Sequence, residues 1–201
     1  MPTLTSISPV KREPKISFES WQQNHNTPRI NTSGLNEVRA SAKAWSGFSQ
    51  AWTDYKSSSI IQGAIDKHNL KNKDWDFTLD RSGNIKVIEG NDRLSNQAVK
   101  DLEKALNDSA FGYHFKDMAV GLIGKSQLSV NTYNNPNSIT KYDINAENIS
   151  GILRGRELME QPRADWNNIK GTFSKQIDRS AESLGLKEKV DLIYRSINID
   201  V

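Results

Sequence analysis

From Leu35 onward, apolar residues recur at spacings of three and four: Leu35, Val38, Ala42, Trp45, Phe48, Trp52 and Tyr55. That spacing puts them on one stripe of an α-helix, with Asn36 as its expected cap. Ser57-Ser58-Ser59 interrupts the run, and Ile61, Ala64, Ile65 and His68 carry it on as a second helix or a bent continuation. The period then switches from helix to strand. Trp75, Phe77 and Leu79 alternate with Asp76, Thr78 and Asp80, Arg81-Ser82-Gly83-Asn84 has turn chemistry, and Ile85, Val87 and Ile88 are β-branched. The segment predicts a hairpin over about 75–89. Two strands alone are marginal in water, so a helix must cover the apolar face.

The helical period returns at Ser95, which heads a run of Ala98, Val99, Leu102, Ala105 and Leu106, followed by a stripe of Phe111, Phe115, Met118, Ala119, Leu122 and Ile123. Residues 131–140 are Asn-rich, contain Pro136 and are expected to break structure. Asn145 starts a weaker helix with Ile149, Ile152 and Leu153, and Pro162 suits a first helical turn. Trp166, Ile169, Phe173, Ile177 and Leu184 make a long face closed by Gly185, and Leu186, Val190, Ile193 and Ile197 make a last helix. The fold class is therefore mainly α (α+β): a bundle of about six or seven helices with one hairpin packed on it, in a single domain over 36–201.

Residues 1–35 follow no such period. They hold four of the six prolines (Pro2, Pro9, Pro14, Pro28) among many Ser, Thr and Asn. Each proline removes a backbone donor and biases its predecessor towards extended geometry, and few apolar side chains are present to offset the entropy of ordering. This segment is read as disordered or loosely ordered, with Ile16, Phe18 and Trp21 able to dock locally. Hydrophobic residues make up 35% of the chain and mean hydropathy is −0.68, enough for a core but not one that uses every residue.

Charge narrows the partners. The net charge is +3, and residues 1–35 supply +2 of it through Lys11, Arg12, Lys15 and Arg29 against Glu13 and Glu19. No face of the remaining body has the cationic density that phosphate neutralisation requires, so no nucleic-acid partner is expected. The absence of Cys removes disulfides, thiolate metal sites and Cys nucleophiles together. No stretch approaches the ~18 consecutive apolar residues of a membrane span, and the first ten residues lack the basic start and apolar run of a Sec-type signal.

The nearest match to a chemical motif is Ala119-Val120-Gly121-Leu122-Ile123-Gly124-Lys125-Ser126, a relaxed phosphate loop. There, backbone N–H groups would cradle phosphates, with Lys125 on the terminal phosphates and Ser126 on Mg²⁺. Such a loop must follow a buried strand, whereas this one follows a helical stripe, so Gly124, Lys125 and Ser126 are weak candidates and no cofactor is expected. Asp80, Ser82 and Asn84 resemble the opening of a calcium loop, but Ile85 and Asn91 stand where Gly and Glu are required. His25, His68 and His114 form no metal-ligand spacing. Asp74, Asp76 and Asp80 could converge for acid–base work, although beside a turn they read more simply as solvated strand-face carboxylates. Arg154, Arg156 and Arg163, near Glu157 and Glu160, read as a charged surface with local ion pairs. Trp45 and Trp52, seven apart on one helical face, read as core; exposure of both would make them a partner-binding groove.

The first 35 residues resemble, in composition, the export segments of bacterial type III-secreted proteins: rich in Ser, Thr, Asn and Pro, and poor in acid. The resemblance implies a protein made in the bacterial cytoplasm and then secreted or translocated into a host cell. Its helical body would bind a protein partner, either a host target or a component of the secretion apparatus such as a chaperone. Two alternatives stand beside it. One is an enzyme with its site around Lys125 and Ser126 or around Asp76 and Asp80. The other is a cytoplasmic structural or regulatory module.

Overall fold

The computed structural model describes residues 33–127 and 138–189. The expected disorder of the N-terminal segment lies outside them except at its last residues, which are helical, and so does most of the expected last helix. The described chain runs α1 (Ser33–Ser57), α2 (Ser59–Lys67), β1 (Trp75–Leu79), β2 (Ile85–Glu89), α3 (Asn96–Asn107), α4 (Ala110–Gln127), α5 (Ser138–Lys141), α6 (Ile149–Ile152), α7 (Gly155–Met159) and α8 (Trp166–Ala181). It is mainly α with one antiparallel hairpin, as the pattern predicts. Helix α1 starts at Ser33, ahead of the expected cap at Asn36. Among the described residues no helix is long and apolar enough to cross a membrane.

Helix starts follow local chemistry. Ser58 Oγ accepts from Ile61 N, Ser95 Oγ from Ala98 N, and Asp165 Oδ1 from Asn167 N and Asn168 N, each meeting an N–H that the first turn leaves without a partner. Asp165 therefore starts α8, and Pro162 lies before it rather than in its first turn. After α8, Gly185 takes a φ of +60° and Leu186 N donates to Ala181 O, a glycine stop of the kind expected there. Glu188 then forms an isolated bridge with Tyr142.

Helices α1 and α4 pack antiparallel and very close. A Cβ on Gly121 would stand 2.2 Å from Ala44 N, and one on Gly47 2.4 Å from Met118 N. The buried face of α1 is Ala44, Phe48, Ala51 and Tyr55; Val38, expected on it, is exposed. Beneath this pair lies an aromatic cluster in which Phe77 packs against Tyr55, Phe111 and Phe115 at ring-centroid distances of 6.0, 5.6 and 5.2 Å. Gly155 lets α7 approach the same rings, since a Cβ there would fall 2.1 Å from Phe77.

The hairpin is pinned at its turn and along both edges. Asp80 Oδ1 accepts from Ser82 N (2.9 Å) and Asn84 N (2.8 Å), and Gly83 takes the left-handed conformation. On the outer edge of β2, Asn107 mimics a third strand: its Oδ1 accepts from Ile85 N and its Nδ2 donates to Ile85 O, while Glu103 accepts from Val87 N. On β1, Phe77 N donates to Asp76 Oδ1 and Trp75 O accepts from Arg156. Side chains thus close edges that could otherwise recruit a foreign strand.

Candidate functional site: a charged cleft beside the hairpin

The side chains of β1 alternate, and both faces of the strand are used. Trp75, Phe77 and Leu79 enter the core. Thr78 Oγ1 donates to Ser150 O (3.0 Å) at the start of α6, and Asp76 reaches α7. Helix α7 needs that contact, because Arg154 at its N-cap supplies no side-chain acceptor. Asp76 Oδ1 takes the role from 80 residues away in the chain, accepting from Arg156 N at 2.7 Å. Arg156 returns the contact. Its guanidinium lies 4.5 Å from the centroid of Trp75 and donates to the carbonyls of Lys71, Lys73 and Trp75 and to Glu160. Strand and helix thereby hold each other's backbone.

Beside this clasp opens a cleft of about 520 Å³. One wall is the hairpin, contributing Asp74, Asp76 and Glu89. The other is built from the α6–α7 junction and α8, contributing Arg154, Glu157, Gln176, Arg179 and Ser183. Asp74, Glu89, Gly90, Arg179 and Ser183 form an exposed rim. Asp74 accepts from Asn91 N and Nδ2, both at 2.8 Å, and its carboxylate lies over Gly90, where a Cβ would stand 2.3 Å away. Gln176, fully buried, accepts from Arg154 N and donates to Arg154 O and Glu157 Oε2. Arg179 donates to the same Glu157 oxygen at 2.5 Å.

Burial pushes the Asp76 carboxyl above the usual carboxylate range. The N–H groups of Phe77, Arg156 and Glu157 and the charge of Arg154 pull it back without cancelling the effect. Burial likewise raises the Tyr55 phenol behind it, with Glu160 adding to the rise.

The other candidates from sequence are placed elsewhere. The octet 119–126 lies wholly within α4, so its N–H groups face along the helix and form no phosphate cradle. Ser126 Oγ donates to Ile123 O and Ile144 O, and Lys125 Nζ donates to Ser41 Oγ at 3.0 Å, with the Trp166 ring 5.7 Å away. Gly124 faces Ala40. Trp45 and Trp52 are half-buried against the core; Trp45 meets Trp166 edge-on and Trp52 Nε1 donates to Gln161 O. Of the three strand aspartates, Asp74 and Asp76 meet in the cleft, while Asp80 is held in the turn. Asp76 is no solvated strand-face carboxylate, and Arg154 and Glu157 line the cleft as well as the surface. His114 pairs with Asp54 at 2.7 Å, bridging α4 to α1. Among the described residues no group of three or more His, Asp or Glu side chains is placed to hold a metal ion.

No family model, curated protein or solved structure matches this chain. The cleft therefore has to be read from its own chemistry. Its α8 residues, Gln176 above all, were not foreseen, yet the sequence carried a signal: Gln176 continues the stripe of Ile169 and Phe173, and a polar residue on an apolar face marks a place where buried backbone needs a partner.

Proposed function

We propose that this chain is a secreted, effector-like bacterial protein of the type III kind that acts by holding another polypeptide rather than by transforming a small molecule. The observation that carries this reading is the use made of the side chains that chemistry would need. Asp76 caps α7, Arg156 straps the 71–75 segment, and Ser126 donates to two backbone carbonyls. The cleft beside them keeps a charged, exposed rim suited to a partner's side chains. The composition of residues 1–35 supports the export half of the proposal.

The experiment has two arms. Residues 1–35 fused to a reporter are expected to direct its export from a type III-competent strain, and deleting them from the full chain is expected to abolish export; a reporter that stays inside would overturn that half. A photo-crosslinking residue at Ser183 is expected to capture a second polypeptide, whereas one at exposed Lys100 on α3 captures none. Equal capture at both positions would remove the cleft from the proposal.

A second reading has one observation in its favour: the Asp76 carboxyl on the cleft wall, raised by burial above the usual carboxylate range, is the kind of group that serves as a general acid or base. Under that reading Asp76→Asn abolishes an activity. Under the first it leaves partner capture at Ser183 intact.

A further inference from the structure

The two walls of the cleft carry opposite charge. The hairpin wall presents the acids Asp74, Asp76 and Glu89, and the facing wall presents Arg154 and Arg179 with a single acid, Glu157, which Arg179 pairs. A lone cation entering here would meet the arginines, and a lone anion would meet the carboxylates. A ligand bearing both charges, each turned to its complement, offsets the loss of hydration on both sides.

From this arrangement we infer that the cleft receives the C-terminal residue of a partner polypeptide when that residue is arginine or lysine. The inference rests on the polypeptide-binding reading above and names the end of the polypeptide that is bound. A C-terminal basic residue carries an α-carboxylate and a cationic side chain within one residue, which suits a cleft of about 520 Å³. The carboxylate faces Arg179, whose guanidinium gives Nη2 to Glu157 and keeps further donors on the same fork. The side chain runs along half-buried Ile88 with its methylenes and turns its charge to Asp74 and Glu89.

Calorimetry on the full chain tests this with four probes: an eight-residue Gly/Ser peptide ending in arginine with a free carboxylate, its C-terminal amide, the same peptide ending in glutamate, and free L-arginine. The free-acid arginine peptide is expected to bind one to one, with the amide and the glutamate peptide each weaker by about tenfold or more, the scale of one lost charged contact. Arg179→Gln is expected to weaken the free acid towards the level of the amide, and Glu89→Gln to weaken both arginine peptides. Both residues are exposed, so folding is checked by an unchanged melting temperature. Equal binding of acid and amide, or wild-type affinity in both variants, would overturn the inference. Free arginine binding as tightly as the peptide would overturn it in favour of a small-molecule site. If no peptide binds while Ser183 still captures a polypeptide, this inference fails and the parent reading stands.

Discussion

Where α1 crosses α4, backbone lies against backbone; where the β-hairpin meets its neighbours, side chains reach across to backbone. The first contact works by shape. Gly47, Gly121 and Ala44 remove side-chain volume, so the two helices share van der Waals contact along their length. The second works by polar satisfaction: Asn107, Glu103, Asp76 and Arg156 supply donors and acceptors that a two-stranded sheet cannot find within itself. The difference teaches that a core of shape fails by adding atoms, whereas a polar frame fails by losing them.

The sharpest way to break the comparison is Gly121→Ala. Its new methyl meets backbone atoms of Ala44 that cannot rotate away, and the variant is expected to lose about 3 kcal/mol in denaturant unfolding. An unchanged midpoint would mean that close approach is not what holds the pair. Next comes Asn107→Ala on the polar side, which leaves the Ile85 N–H and C=O without their partner and is expected to cost about 1–3 kcal/mol. Gly171→Ala reverses the sign. A methyl at this position in α8 meets nothing within 4 Å, so the variant is expected to gain about 0.5–1 kcal/mol from a stiffer unfolded chain. A loss there would show that glycine in this protein does more than make room.

The smallest effect is read as a slope against pH. Asp76 has its carboxyl raised by burial, so its contribution to stability is full below the ordinary carboxylate pKa and is lost as pH rises through the folded value. Melting temperatures of Asp76→Asn relative to wild type are expected to shift in the variant's favour between pH 3 and pH 7. Asp101 runs the other way: hydrogen bonds from Lys67, His68 and Gln97 depress its carboxyl, so its contribution is present above the ordinary range and fades as pH falls. Asp101→Asn should therefore shift against the variant over the same interval. Parallel slopes for the two variants would contradict this assignment of signs.

This contrast also explains what the sequence could reveal. The shape-packed elements announced themselves by period: the α1 stripe, the α3–α4 stripes, the alternation of β1 and the glycine after α8 are local patterns. Periodicity could not separate exposed Val38 from buried Ala44, because both sit near one apolar stripe and only the crossing with α4 decides which is covered. The one-turn helices α5 and α7 are too short to show a period, and α7 is capped by a residue 80 positions away. The cleft was half legible. Asp74 and Asp76 could be singled out as chemically interesting, but their meeting with Arg154 and Gln176 depends on pairings that only the folded chain makes.

The exchange between Asp76 and Arg156 also sets an order of events. Strand β1 leaves the ribosome about eighty residues before the segment that completes it, and closing so long a loop carries an entropic delay that grows with length. Until Arg156 arrives, the 71–75 carbonyls and the β1 edge stay wet and the nascent hairpin remains a marginal ribbon. The β1 edge is therefore completed only when the last quarter of the chain has been made, after α1 and α4 are both available to pack.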